Sequence, residues 1–199
     1  MALTKLNNNG IAGVTALPSS IALGDMVLVS SATASSSASL SFTLGDYKEY
    51  QFYFVNIHPA NDNNLFRTNF SIDNGSNYNV VKTTTYFMAG HSEADDYSVL
   101  QYRTSDDVAQ STADFPIFNN GLGGDNDQSY SGSMSIFNPS SDTFVKHFMV
   151  NGNGSIDNNT SINAFMAGYA NTQSALTNIK FLMSSGNIDS GTILMYGIN

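Results

Sequence analysis

Few residues in this sequence are suited to acid–base or nucleophilic chemistry, and they are widely spaced. There are three histidines, His58, His91 and His147, and no cysteine. In α/β-hydrolases the nucleophilic serine lies in a Gly-x-Ser-x-Gly turn between a strand and a helix. The nearest match, residues 90–94 (Gly-His-Ser-Glu-Ala), lacks the final glycine, and no helical pattern follows it. We therefore interpret this segment as a polar loop and find no hydrolase signature.

Carboxylates are the other candidate chemistry, and they fall into three clusters at residues 62–64, 93–96 and 125–127. Calcium takes six to eight oxygen ligands, but none of the clusters has EF-hand spacing or a closing bidentate glutamate. Acidic and asparagine side chains also cap turns. The sequence leaves open whether any of these loops binds calcium. No carboxylate pair stands out for glycoside hydrolysis, which needs two such groups roughly 5–10 Å apart.

Tyrosines near the expected loop ends suggest a binding role. Tyr78, Tyr97, Tyr102 and Tyr130 could stack on sugar rings. The alternative is that they close the ends of a sandwich with their hydroxyls in water. His147 alternates with apolar residues, so we expect it to be packed or hydrogen-bonded and not to act as a base.

Composition excludes several functional classes. Only 12% of residues are charged, and the formal net charge is −9. With seven lysines and arginines, the chain has no basic stripe to neutralise phosphates, so nucleic acids and anionic membranes are poor partners. No apolar run approaches the length of a membrane span. We expect a soluble protein without a Sec signal, disulfide or cofactor.

The sequence pattern predicts that short β-strands position the histidines, carboxylates and tyrosines described above. Residues 39–44 alternate strictly, and residues 50–57 are apolar on nearly both faces, which is typical of a central strand covered on each side. No segment has the spacing of an amphipathic helix. Further strands are predicted at residues 65–72, 78–87, 98–103, 131–137, 144–150, 162–169, 179–183 and 192–198.

Turn signals separate these strands. Asn-Gly, which favours the positive φ angles of tight hairpins, begins at positions 9, 74, 120, 151 and 153. Asn74-Gly75 lies between two strand patterns and predicts a β-hairpin. Residues 184–191 likewise separate the last two strands.

The pattern predicts an all-β protein with one jelly-roll-like β-sandwich over residues 26–199. Residues 1–25 have too few apolar residues to fold alone and are predicted to form an extended arm. Within it, Leu3, Leu6 and Ile11 are candidate attachment residues; an ordinary frayed terminus or edge strand is the alternative. Low-charge sheets of this size leave edges, which subunit pairing protects, so we expect a homo-oligomer and favour a trimer.

Four segments carry a resemblance to a known family. They are residues 1–11 (Met-Ala-Leu-Thr-Lys-Leu-Asn-Asn-Asn-Gly-Ile), 53–60, 137–148 (with Asn-Pro-Ser-Ser) and 183–198. Together they resemble small structural proteins of marine tailed phages of the cyanophage and pelagiphage type. The resemblance spans nearly the whole chain and is most specific at the two ends and in the Asn-Pro-Ser-Ser segment.

The resemblance implies a non-enzymatic virion component, either a tail-fibre-like or a capsid head-decoration subunit. Such a subunit would be assembled in the host cytoplasm, displayed on the virion surface and bound to other virion proteins. The resemblance supplies no catalytic, cofactor or metal residues. A host-surface glycan-binding adhesin of the same virion is the alternative function.

Overall fold

The computed structural model describes residues 26–199, which contain twelve β-strands and no helix. Every strand pair is antiparallel. The strands are β1 Met26–Thr33, β2 Leu40–Thr43, β3 Glu49–Pro59, β4 Asn64–Ser71, β5 Lys82–Ser92, β6 Ser98–Tyr102, β7 Phe115–Leu122, β8 Tyr130–Phe137, β9 Lys146–Ile156, β10 Thr160–Ala170, β11 Asn178–Met183 and β12 Ile188–Ile198.

The strands form two layers. The larger layer has eight strands in the order β1-β12-β3-β8-β9-β10-β5-β6, and the smaller has four in the order β2-β11-β4-β7. One residue pair, Leu122 with Ile156, links β7 to β9 and makes the hydrogen-bonded system continuous. The predicted all-β sandwich is confirmed.

The connectivity is that of a jelly roll carrying two inserted hairpins. Without β5–β6 and β9–β10, the remaining strands form two four-stranded sheets, β1-β12-β3-β8 and β2-β11-β4-β7. Consecutive strands then alternate between the sheets, except β4 and β7, which pair within the smaller sheet, and this is the connectivity of a jelly roll. Both hairpins add to the same side of the first sheet, next to β8.

Aromatic side chains fill the space between the layers. Phe54 of β3 packs edge-on against Phe66 and Phe181 of the smaller sheet, with ring centroids 5.3 and 5.2 Å away. Under the inserted strands, Phe148 of β9 contacts Phe70 at 5.3 Å. Burying a phenylalanine stabilises the fold by roughly 1.5–3 kcal/mol, so this row holds the sheets together.

Strand β3 only partly matches the prediction of a central strand covered on both faces. It lies between β12 and β8 as a central strand, as its composition predicts. It is not covered on both sides, however. Phe52 and Phe54 are buried, whereas Tyr53 and Val55 of its other face remain 38% and 44% exposed. Within residues 26–199 nothing covers that outer face.

The Asn74-Gly75 turn forms, but the predicted β-hairpin does not. Asn74 and Gly75 have φ angles of 59° and 81°, as a tight turn requires. Strand β4 pairs with β7 and β11, not with the chain after the turn, and β5 begins only at Lys82. The chain here leaves the smaller sheet and enters the larger one.

Two other Asn-Gly pairs, at 151–152 and 153–154, lie inside β9 and are not turns. Strand alternation places both asparagines on the exposed face and both glycines on the buried face. A side chain at Gly154 would come within 2.7 Å of the Phe118 ring. Glycine is required here because aromatic rings occupy the space, so the interpretation as turns was wrong.

Two strands carried no clear sequence signal. Strand β1 lies at a sheet edge, and most of its residues are exposed on both faces. Strand β7 contains Pro116 and the Asn120-Gly121 turn signal, and Gly121 adopts a positive φ of 72° within the strand. The predicted arm over residues 1–25 lies outside the described residues.

Candidate functional site

A polar cleft opens at one end of the two inserted hairpins. Its volume is about 980 Å³. It lies between the β5–β6 turn, the β9–β10 turn and the glycine bulge of β7. The two turns are tied together by the backbone N–H of Glu93, which donates to the carbonyl of Asn159 at 3.0 Å. This backbone connection fixes the spacing of the two turns at that point.

Arg103 supplies the positive charge of the cleft. Its Nε donates to Oδ2 of the buried Asp106 at 2.8 Å. Ser105 donates its hydroxyl to the other carboxylate oxygen. This arrangement fixes the guanidinium plane, and planar guanidinium groups bind carboxylates or vicinal hydroxyls through parallel hydrogen bonds.

Asn120 forms part of the cleft wall and is held in one orientation. Its Oδ1 accepts a hydrogen bond from the Tyr86 hydroxyl at 3.0 Å, and its Nδ2 faces the Met88 sulfur. Burial raises the pKa of the Tyr86 hydroxyl well above its ordinary value, although the backbone N–H of Asn119 donates to it. Tyr86 is therefore a neutral hydrogen-bond donor at any physiological pH.

The acidic cluster at residues 93–96 lies at the rim of this cleft. Ser92 donates to Asp96 at 2.7 Å, and His91 contacts Asp95 at 3.1 Å, not the neighbouring Glu93. His91 and Glu93, two residues apart in the sequence, therefore do not act together as a ligand pair. Among residues 26–199, no group of three or more histidine, aspartate or glutamate side chains is arranged to hold a metal ion.

The other two acidic clusters meet each other beside the cleft, whose wall includes Asn63. Asp62 accepts a hydrogen bond from the backbone of Gly124 at 2.7 Å. His58 contacts the carbonyl of Asp125 at 3.1 Å, and its other ring nitrogen lies 3.8 Å from Asp189. These groups join loops and present no concave site.

The four tyrosines differ in position. Tyr97 lines the cleft and is 46% exposed, whereas Tyr102 is 50% exposed outside the cleft and bonds to Asp107. Tyr78 lies beneath the Lys180 ammonium, 5.0 Å from its ring centroid. Tyr130 is the first residue of β8, at the end of a loop, but it is fully buried and so is not available to stack on a sugar ring.

A second surface is the outer face of the eight-stranded sheet. The sequence alone did not define it, because the register that brings its residues into rows is set by strand pairing. One row runs across seven strands and contains no charge: Tyr102, Phe87, Phe165, Asn151, Ser133, Tyr53 and Leu194. The adjacent row is also uncharged: Thr85, Ala167, Met149, Ser135, Gln51, Tyr196 and Leu28.

Large apolar groups stand out from this outer face. The rings of Phe87 and Phe165 stack at 4.9 Å, and Phe87 and Met149 are 42% and 58% exposed. Two shallow grooves of about 410 and 470 Å³ run beside them. His147 also lies on this face, exposed, with its ring 6.2 Å from that of Tyr169. The expectation that it is packed inside was wrong.

The predicted attachment residues Leu3, Leu6 and Ile11 lie outside the described residues. No helix within residues 26–199 has the length and apolarity needed to cross a membrane.

Comparison with known proteins returns no match to any protein-family profile, curated protein or solved structure.

Proposed function

We propose that this chain is a non-enzymatic structural subunit of a tailed-phage virion, displayed on the particle surface as a fibre or head-decoration protein. The observation that carries the proposal is the two adjacent uncharged, partly apolar rows across the outer face of the eight-stranded sheet. Exposed apolar patches of this kind mark contact surfaces in proteins. Jelly rolls occur in viral capsid and lectin domains, which agrees with the proposal as an analogy of fold.

The outer face is best suited to a second copy of the same chain. Its two central rows carry no charge for a charged partner, and their serines, threonines and asparagines can hydrogen-bond to polar groups of a neighbouring copy in a ring. Phe87, Phe165 and Met149 would form the buried centre of such an interface. A closed trimer is our preferred assembly.

Residues 1–25 would attach the subunit to a capsid or tail protein. Docking Leu3, Leu6 and Ile11 against a partner contributes roughly 1.5–3 kcal/mol per buried side chain before ordering costs. Three copies of the arm in one trimer would raise the overall avidity through effective concentration.

The attachment is tested by replacing Leu3, Leu6 and Ile11 together with serine. A matched control replaces Asn7, Asn8 and Asn9 with serine. We expect the first variant to be lost from purified particles and the control to be retained, as measured by quantitative mass spectrometry of virions. Equal retention of both variants, or absence of the wild-type chain from particles, contradicts the proposal.

The assembly is tested by sedimentation velocity on the full chain. We expect the wild type to sediment as a trimer and Phe87→Glu, which places a charge in the outer face, to sediment as a monomer. Asn126→Glu adds the same charge at an exposed loop and should leave the trimer intact. A wild-type monomer at all concentrations excludes this interface.

A second candidate function is binding of host-surface glycans in the polar cleft. The specific observation is the juxtaposition of an exposed aromatic ring, Tyr97, with the oriented polar groups of Arg103 and Asn120. Sugar sites combine an apolar stacking surface with a few convergent hydrogen-bonding groups.

Glycan-array binding by the full chain tests this candidate. Tyr97→Ala should lower binding at least about tenfold, the loss of about 1.4 kcal/mol. Tyr102→Ala removes an equally exposed tyrosine outside the cleft and should bind as the wild type does. Absence of any glycan binding leaves the subunit with a purely structural role.

A further inference from the structure

Lys82, the first residue of β5, is fully buried between the two sheets. Its Nζ lies 2.6 Å from Oδ1 of Asn69 on β4 and 5.3 Å from the centroid of the Phe115 ring. Within residues 26–199, no carboxylate forms a salt bridge with it. A buried ammonium with one neutral acceptor is poorly compensated for its lost hydration. Stability alone therefore does not explain why Lys82 is buried next to Asn69.

The surroundings of Asn69 determine which way its amide points. Nδ2 faces three acceptors: the carbonyls of Tyr78 and Thr112, at 2.7 and 3.1 Å, and Oδ1 of Asp114 at 2.9 Å. Since an amide nitrogen only donates, the carbonyl oxygen must be the atom that faces Lys82.

We propose that Lys82 and Asn69 form an intramolecular isopeptide bond, with Asp114 as the proton carrier. The neutral Nζ of Lys82 attacks Cγ of Asn69, and a new C–N bond forms as the amide π electrons move to Oδ1. Asp114 takes a proton released by Nζ and passes it to Nδ2. The Cγ–Nδ2 bond then breaks, and Nδ2 leaves as ammonia. One amine and one primary amide thus give one secondary amide and ammonia, with no change in oxidation state.

The distance permits attack. Since Nζ is 2.6 Å from Oδ1 and a C=O bond is about 1.23 Å long, Nζ lies no more than about 3.8 Å from Cγ. Productive attack needs about 3–3.5 Å. A side-chain movement of a few tenths of an ångström is therefore sufficient.

The electrostatics favour both reacting groups. Burial lowers the pKa of Lys82 to about 8, although the negative charge of Asp114 acts in the opposite direction. Roughly a tenth of the amine is therefore neutral and nucleophilic at pH 7. The backbone N–H of Phe70 donates to Oδ1 of Asn69 at 2.9 Å, where negative charge develops during attack.

Asp114 is placed at the leaving nitrogen and held there. Lys180 lies 3.3 Å from the same Oδ1 that accepts from Asn69. This ion pair orients the Asp114 carboxylate, whose side chain is partly exposed to solvent. Ammonia released at Nδ2 therefore has a short path to solvent. The bond would join the smaller sheet to the inserted part of the larger sheet.

Mass spectrometry of the intact, full-length protein tests the proposal. After incubation at a pH above the Lys82 pKa of about 8, the wild type should be about 17 Da lighter than its sequence, the mass of one ammonia. Tryptic digestion should not cleave after Lys82 and should yield residues 68–103 as one peptide, about 17 Da lighter than its sequence, with a loop closed between residues 69 and 82.

The matched control is Lys146→Met. Lys146 is also fully buried, but its Nζ bonds only to the backbone carbonyls of Thr172 and Ser174. This variant should keep the mass loss, whereas Lys82→Met should have the full sequence mass.

Asp114→Asn separates chemistry from folding, because asparagine keeps a hydrogen-bonding side chain at this position. We expect it to fold, as judged by circular dichroism, and to retain the full mass with cleavage after Lys82. A folded wild type of full mass overturns the proposal. So does a mass loss that maps to a linear peptide, since cyclisation at an Asn-Gly pair also releases ammonia.

Discussion

At the residue scale, two buried tyrosines show how hydrogen bonding alone distinguishes chemically identical groups. Tyr86 and Tyr130 are both fully buried, and burial raises the pKa of both hydroxyls well above the ordinary value. Tyr86 bonds to Asn120 and Asn119. Among the described residues the Tyr130 hydroxyl has no partner. An unpaired buried polar group costs about 1–3 kcal/mol.

We therefore expect Tyr130→Phe to raise the free energy of unfolding by about 1 kcal/mol, because the change removes a hydroxyl that makes no bond. Tyr86→Phe should lower it by a similar amount, since two bonds are lost. Chemical denaturation of both variants measures the difference. Destabilisation by both changes would mean that Tyr130 has a partner.

Also at the residue scale, the Asp73 side chain caps the Asn74-Gly75 turn. Hydrogen bonds from Ser71 and Asn77 lower the pKa of its carboxyl to about 2. A lowered pKa in the folded state stabilises the protein above the unfolded value of about 3.9, and this stabilisation is lost as the pH falls toward 2.

The expected outcome is that Asp73→Asn lowers Tm at pH 6 and that the difference from wild type disappears near pH 2. Thermal melts across this range, with a carboxyl NMR titration of Asp73, make the measurement. A difference in Tm that is independent of pH would exclude the carboxylate as its cause.

At the element scale, strand β9 shows why a local turn signal fails. An Asn-Gly pair favours positive φ in isolation, but Gly152 and Gly154 have no positive φ and face aromatic rings across the core. Packing against β8 and β10 outweighs the local preference, since the pairs run the full length of the strand.

We expect Gly152→Ala to lower the free energy of unfolding by about 1–3 kcal/mol, because its methyl group would overlap the Tyr130 ring. Asn151→Ala, on the exposed face, should change it by less than about 0.5 kcal/mol. Urea denaturation distinguishes them. If these residues formed a turn, the Asn151 variant would be the more harmful one.

At the scale of the whole molecule, strands distant in the chain must meet. Met26 of β1 pairs with Ile198 of β12, so the first and last described strands are neighbours. Sheets built from such distant pairs fold slowly, in milliseconds to seconds, because loop closure precedes the stabilising contacts. The sheet order is complete within residues 26–199.

A chain of residues 26–199 should therefore fold cooperatively without the preceding segment, with a Tm within a few degrees of the full chain. Deletion of residues 188–199 removes the strand between β1 and β3 and should abolish the transition. Circular dichroism melts test both chains. Loss of cooperativity on removing residues 1–25 would make that segment part of the core, not an arm.

The sequence by itself determined the β class, the turn at Asn74-Gly75 and most strand positions. These features depend on alternation and on the φ preferences of neighbouring residues, which are local properties. It also placed the glycan candidate Tyr97 near a loop end, but not beside Arg103 and Asn120.

Only the tertiary structure decided the jelly-roll order, the uncharged outer face and the approach of Lys82 to Asn69. Pairing partners, register and burial depend on contacts between segments far apart in the chain, and alternation within one strand does not specify them. The composition of residues 50–57 predicted that β3 would be covered on both faces, but only the tertiary structure shows that the face with Tyr53 and Val55 stays exposed. For the same reason the two Asn-Gly pairs of β9 predicted turns, whereas in the folded protein Gly152 and Gly154 face the rings of Tyr130 and Phe118.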